Sequence, residues 1–84
     1  MDKAAILEAI RDVLVAQFHC DRARIERATT AHDVPGWDSV NHVMVLLDVE
    51  KRLGIKFDDE RVYDLADVGG LVDLAFDTMA AAQR

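Results

Sequence analysis

Residues 34–57 read VPGWDSVNHVMVLLDVEKRLGIKF, and this stretch decides the fold. Asp38 and Ser39 are both favoured helix N-caps, and Gly54 is a natural left-handed stop after Leu53. The segment between them is predicted to be a helix. On a helical wheel it carries two apolar faces. Val45, Leu46, Val49 and Leu53 form one stripe, and Val40, Val43, Met44 and Leu47 form a second, nearly opposite. Asn41, Asp48 and Arg52 separate them on one side and Glu50 on the other. A helix in a small bundle needs one buried stripe. The second is either covered by a neighbouring loop or short helix, or left in water as an interaction surface.

Working outward toward the N-terminus, residues 19–38 show no sustained period. Pro35-Gly36 marks a turn, and Ile25, Ala28 and Val34 are isolated apolar positions expected to pin this long connection to the core. Before it, Ile6, Leu7, Ile10, Val13, Leu14 and Phe18 recur at three- and four-residue steps, which predicts a helix over about residues 3–18 capped by Asp2. Toward the C-terminus, DDERVYDL offers Asp58 or Asp59 as a cap and then barely two turns of helix, with Val62, Tyr63 and Leu65 apolar. Asp67 caps a last helix with Val68, Leu71, Val72, Ala75 and Met79 on one face and Phe76 beside them. Gly69 and Gly70 in its first turn cost about 1 kcal/mol each relative to Ala, so that start is expected to fray. The expected architecture is all-α, a four-helix bundle of three longer helices and one short one, with a long loop between the first two.

Composition sets the outer bounds. The chain has 84 residues, enough for one domain spanning 1–84. The single cysteine, Cys20, excludes an internal disulfide and suggests a reducing compartment. The longest uninterrupted apolar run, Val43 to Leu47, is far short of a membrane span, and acids among the first apolar residues argue against a signal peptide. A cytoplasmic, monomeric protein is expected. Ten basic residues against sixteen acidic give a net charge of −6, and the excess acid lies beyond residue 30. A phosphate backbone would be repelled there, which argues against nucleic-acid binding. Partners with basic surfaces are favoured.

Ser39 stands at a helix start, after a turn and an aromatic, beside Asp38 and ahead of an apolar stripe. Capping is the ordinary use of such a residue; a modification site is the other. The stretch Val34 to Phe57 resembles the core signature of acyl (peptidyl) carrier proteins, in which an Asp-Ser-Leu motif opens the second helix. Here the motif is Asp38-Ser39-Val40. Chain length, acidity and the order of long helix, long loop, helix, short helix, helix also resemble that family. The resemblance implies a non-enzymatic phosphoprotein whose Ser39 carries 4′-phosphopantetheine in phosphodiester linkage. The arm's thiol would hold acyl, polyketide or aminoacyl groups as thioesters. It further implies that Asp38 assists modification, helping to hold the Mg²⁺ used by a phosphopantetheinyl transferase. The remaining implied partners are a loading ligase or acyltransferase and a downstream synthase or condensing enzyme. Trp37, Val40, Val43, Met44, Leu47, Asp48 and Glu50 are the expected partner-binding residues, with Asp33, Asp58, Asp59, Glu60 and Asp64 adding acidic steering.

The chain departs from the family pattern in places. Val40 replaces the usual leucine, and Met44 stands where many fatty-acid carriers have an acid. Lys51-Arg52 interrupts an acidic run, and Arg22, Arg24 and Arg27 make the loop locally basic. With Trp37 before Asp-Ser, these features resemble carriers of dedicated biosynthetic pathways outside housekeeping fatty-acid synthesis.

Other chemistries fit less well. Asp38, Ser39 and His42 suggest a miniature hydrolytic triad, but Asp38 adjoins the serine instead of backing the imidazole, and His42 is expected at the surface. His19, Cys20, His32 and His42 match no zinc spacing, and Asp58-Asp59-Glu60 lacks the alternation of an EF-hand. The competing reading is a helical protein-interaction module that is never modified.

Overall fold

A computed structural model describes residues 1–58, 60–63, 65 and 67–82. Among these residues every regular element is helical. Three α-helices, α1 (Lys3–Phe18), α2 (Ser39–Leu53) and α3 (Val68–Ala82), are joined by segments that contain three 3₁₀ turns, Arg22–Arg24, Ala31–Asp33 and Glu60–Tyr63. The expected short fourth helix is therefore a single 3₁₀ turn. Among its described residues Val62 is buried, Leu65 is partly buried and Tyr63 is 64% exposed, too few apolar anchors to stabilise a longer helix. The candidate cap Asp59 and the acid Asp64 lie outside the described residues.

The long helices follow the local signals. Asp2 Oδ1 accepts the Ala5 N–H at 2.8 Å and caps α1, and Gly54 closes α2 with φ +67°. α1 packs against both α2 and α3. It contributes Ile6, Ile10, Val13 and Leu14, all fully buried, with Leu7 and Phe18 partly buried beside them. α2 contributes Val45, Leu46 and Val49, and α3 contributes Val68, Leu71, Val72, Leu74 and Ala75. Leu74 is buried although the single-face reading of α3 omitted it. Burying each of the larger aliphatic side chains stabilises the fold by about 1.5–3 kcal/mol relative to exposure.

The connection between α1 and α2 is fastened as expected at Ile25 and Val34, but Ala28 is exposed and Thr29 is buried in its place. A polar residue suits that site because its hydroxyl is fully used. Thr29 Oγ1 accepts the Glu26 N–H at 2.8 Å and donates to the Arg24 carbonyl at 3.0 Å. α1 reaches across to the same segment, Arg11 Nε donating to the Ile25 carbonyl at 2.7 Å. The arginines of this loop do not form a basic patch. Arg22 pairs with Glu8 and Asp12, Arg27 pairs with Asp73 at 3.0 Å, and Arg24 lies 3.8 Å from Asp21. No helix among the described residues is long and apolar enough to cross a membrane.

The start of α3 is pinned, contrary to the expected fraying. Val68 N–H donates to the Thr29 carbonyl and Gly69 N–H to the Arg27 carbonyl, both at 2.8 Å, and Asp67 Oδ1 accepts the Gly70 N–H at 2.9 Å. These bonds satisfy amides that a helix start leaves without intrahelical partners.

Candidate functional site

The site is built on the turn ahead of α2. Trp37 N–H donates to the Val34 carbonyl at 3.1 Å, closing a four-residue turn with Pro35 second and Gly36 third at φ +94°. Those are the residue types and the sign of φ that a type II turn requires. Asn41 Nδ2 donates to the Gly36 carbonyl at 2.7 Å and ties the turn to the first coil of α2.

This geometry divides the roles of Asp38 and Ser39. Asp38 is the N-cap, its Oδ1 accepting the N–H groups of Val40 at 3.1 Å and Asn41 at 2.9 Å. Ser39 is the first residue of the helix and is exposed. Its hydroxyl makes no hydrogen bond to any described residue. Asp38 Oδ2 has no such partner either. Capping therefore does not consume the serine.

Trp37 was expected at a partner surface; it is instead a core residue, 8% exposed. Its ring stacks between Phe18 (centroids 6.4 Å apart, planes at 20°) and His42 (5.9 Å, 26°). His42 was expected on the surface and is half-buried. Its Nδ1 accepts the Trp37 indole N–H at 3.1 Å, and its Nε2 lies 2.6 Å from the Val62 carbonyl. With both ring nitrogens committed, His42 could act as a base toward Ser39 only after leaving Trp37. A cleft of about 500 Å³ opens beside Ser39, walled by Trp37, His42, Tyr63, Leu65 and Leu71.

The second stripe of α2 is exposed. Val40 is 76%, Val43 44%, Met44 55% and Leu47 53% accessible, and their spacing places them along one helix face. Tyr63, read from sequence as a helix anchor, borders the same groove as Val43 and Leu47. No periodicity marked it, because a lone 3₁₀ turn has none. Two acids expected to face partners have internal duties. Glu50 accepts the Phe57 N–H at 2.7 Å, holding the chain as it leaves α2, and Asp48 pairs with Arg52 at 3.3 Å. Asp33, although exposed, is likewise engaged within the chain, accepting the Thr30 N–H at 2.9 Å; that bond, then one from the Thr30 hydroxyl, holds its carboxyl below the usual range.

Among the described residues no three His, Cys, Asp or Glu side chains come together as metal ligands. No family model matches the chain, and no curated protein matches it.

Proposed function

We propose that this chain is a carrier protein, modified at Ser39 by 4′-phosphopantetheine in phosphodiester linkage and serving a dedicated biosynthetic pathway. The observation that carries the reading is the division of labour at the start of α2. Asp38 takes the cap, so Ser39 keeps an exposed hydroxyl with no described hydrogen-bond partner. The group fits there, since a phosphodiester on that oxygen would displace no described hydrogen bond. Once attached, it would supply a thiol for acyl, polyketide or aminoacyl thioesters. Asp38 Oδ2 is free to assist a transferase's Mg²⁺, a hard cation that prefers carboxylate oxygen.

The exposed Val40, Val43, Met44 and Leu47 support the same reading, since apolar surface next to an attachment point suits enzymes that must dock there in turn. Those enzymes are a phosphopantetheinyl transferase, a ligase or acyltransferase, and a synthase or condensing enzyme. In this reading the chain itself performs no catalysis. The stripe alone would equally serve an unmodified interaction module, so modification is the discriminating measurement. Intact mass after incubation with coenzyme A and broad-specificity phosphopantetheinyl transferases should show one added arm on wild type and none on Ser39→Ala. A wild-type chain left unmodified by several such enzymes would overturn the proposal in favour of the interaction module.

A further inference from the structure

We infer that His42 is a positioning residue for the Ser39 site, a proton-released latch between the buried Trp37 and the Glu60–Tyr63 turn. The argument starts from donor and acceptor inventory. An indole nitrogen only donates, so His42 Nδ1, 3.1 Å from Trp37 Nε1, must accept and must be unprotonated. The ring proton therefore sits on Nε2 and is donated to the Val62 carbonyl at 2.6 Å. The neutral imidazole is a bridge with a defined polarity, indole to ring to backbone carbonyl, and it joins segments 20 residues apart. It also sets a wall of the cleft beside Ser39, because Tyr63 follows Val62 directly and lines that cleft with Trp37 and His42.

A second proton breaks one end of the bridge. An imidazolium carries N–H on both nitrogens, so Nδ1–H would face the indole N–H, donor against donor, while the bond to Val62 is retained and becomes charge-assisted. Acidification thus parts His42 and the Glu60–Tyr63 turn from Trp37. Asp38 and Asp67 border the same cleft and offer acceptors to a displaced imidazolium. Among the described residues the other titratable groups facing this region are His32 and Tyr63 in the cleft, with Glu60 and Arg61 on the turn that carries Val62. The latch is a property of the unmodified chain. Its consequence for modification rests on the carrier reading of Ser39.

The test uses the full chain. Trp37 is the only tryptophan, so indole emission reports this contact directly. Wild type should show a one-proton change in emission on acidification, with constant far-UV circular dichroism. His42→Gln offers one acceptor and one donor but no proton to gain, and should be flat. His32→Gln should retain the wild-type profile. Relative to His42→Gln, the wild-type rate with a phosphopantetheinyl transferase should fall with the same midpoint, by at most about tenfold per pH unit, the limiting slope of a one-proton event. Identical emission profiles in wild type and His42→Gln would overturn the latch. Wild type alone gives a second check by NMR, independent of any variant's folding. The Trp37 indole proton must titrate with the His42 ring, and a stationary indole resonance beside a titrating ring also overturns it. Failure of every transferase to modify Ser39 would remove the carrier reading, while emission and NMR still decide the latch.

Discussion

The backbone N–H of Gly69 donates to the carbonyl of Arg27 at 2.8 Å, bringing the first coil of α3 against the loop that leads to α2. A β-carbon at Gly69 would stand 3.1 Å from that carbonyl oxygen and 3.2 Å from Arg27 Cβ, so the loop backbone itself would have to give way. The ion pairs of Asp73 with Arg27 and Lys3 lie next to this contact, at 3.0 and 3.1 Å. The close approach explains why a helix start that propensity disfavours is nevertheless formed.

Gly69→Ala should therefore destabilise the chain by about 1–3 kcal/mol, the usual cost of forcing extra atoms into a packed site. Gly70→Ala meets only side-chain atoms, Leu65 Cδ2 at 3.3 Å and Asp67 Oδ1 at 3.6 Å. It should be neutral or gain up to about 1 kcal/mol from helix propensity. Paired thermal or urea melts read the contrast, and equal losses at both positions would contradict the close-approach argument.

Asp38 has two separable roles. Asp38→Ala removes the cap from Val40 and Asn41 and should cost about 1 kcal/mol in stability. Asp38→Asn keeps a capping oxygen but removes the charge. It should hold stability within a few tenths of a kcal/mol while slowing phosphopantetheinylation. Melts and transferase rates on both variants check this, and unchanged modification of Asp38→Asn would confine Asp38 to the cap.

Leu47 is 53% exposed and Ile10 fully buried. Leu47→Asp should change stability by no more than about 0.5 kcal/mol and should impair loading by the partner ligase. Ile10→Ala should cost about 2–5 kcal/mol. A collapse of Leu47→Asp in the melt would show that this part of the stripe is structural.

Among the described residues three carboxylates titrate below their ordinary range in the folded chain. Glu8 is held down by hydrogen bonds from Arg22 and then Arg11, Asp73 by those from Lys3 and then Arg27, and Asp33 by Thr30. Each is more acidic folded than unfolded, so the unfolded chain binds more protons as pH drops through the carboxylate range. The stabilisation is present above the unfolded value near 4 and is lost as pH falls through the lower folded values. Urea melts at pH 6, 4 and 3 should show that decline, less steeply in Asp73→Asn. All three groups lie at the surface, so 1 M salt should weaken the effect.

Much of this architecture was legible from residue order alone because helix signals are local. Asp2 and Gly54 bracket their helices through bonds spanning three or four residues, and the buried stripe of α2 follows from a 3.6-residue period. The four-residue spacing of Asp48 and Arg52 likewise allowed their pairing. Expectations drifted where a side chain's partner lies far along the chain. The resemblance of this stretch to carrier proteins puts Trp37 and Glu50 on a partner-facing surface, and nothing local reveals Phe18 or the Phe57 amide as their partners. Ala28 carries the apolar signal, yet Thr29 is the buried residue, because a hydroxyl with two backbone partners is buried at little cost.

Residue order by itself determined the three long helices, the Asp2 cap and the Gly54 stop, the doubly apolar α2 and an aspartate and a serine side by side at its start. Only the tertiary structure decided that Asp38 alone takes the cap, that the second stripe stays exposed, and that His42 joins Trp37 to a carbonyl 20 residues away. The division follows from range. Backbone dihedrals and i to i+4 contacts are encoded within one or two turns, whereas burial and hydrogen-bond partners depend on which surfaces meet once the chain has closed on itself.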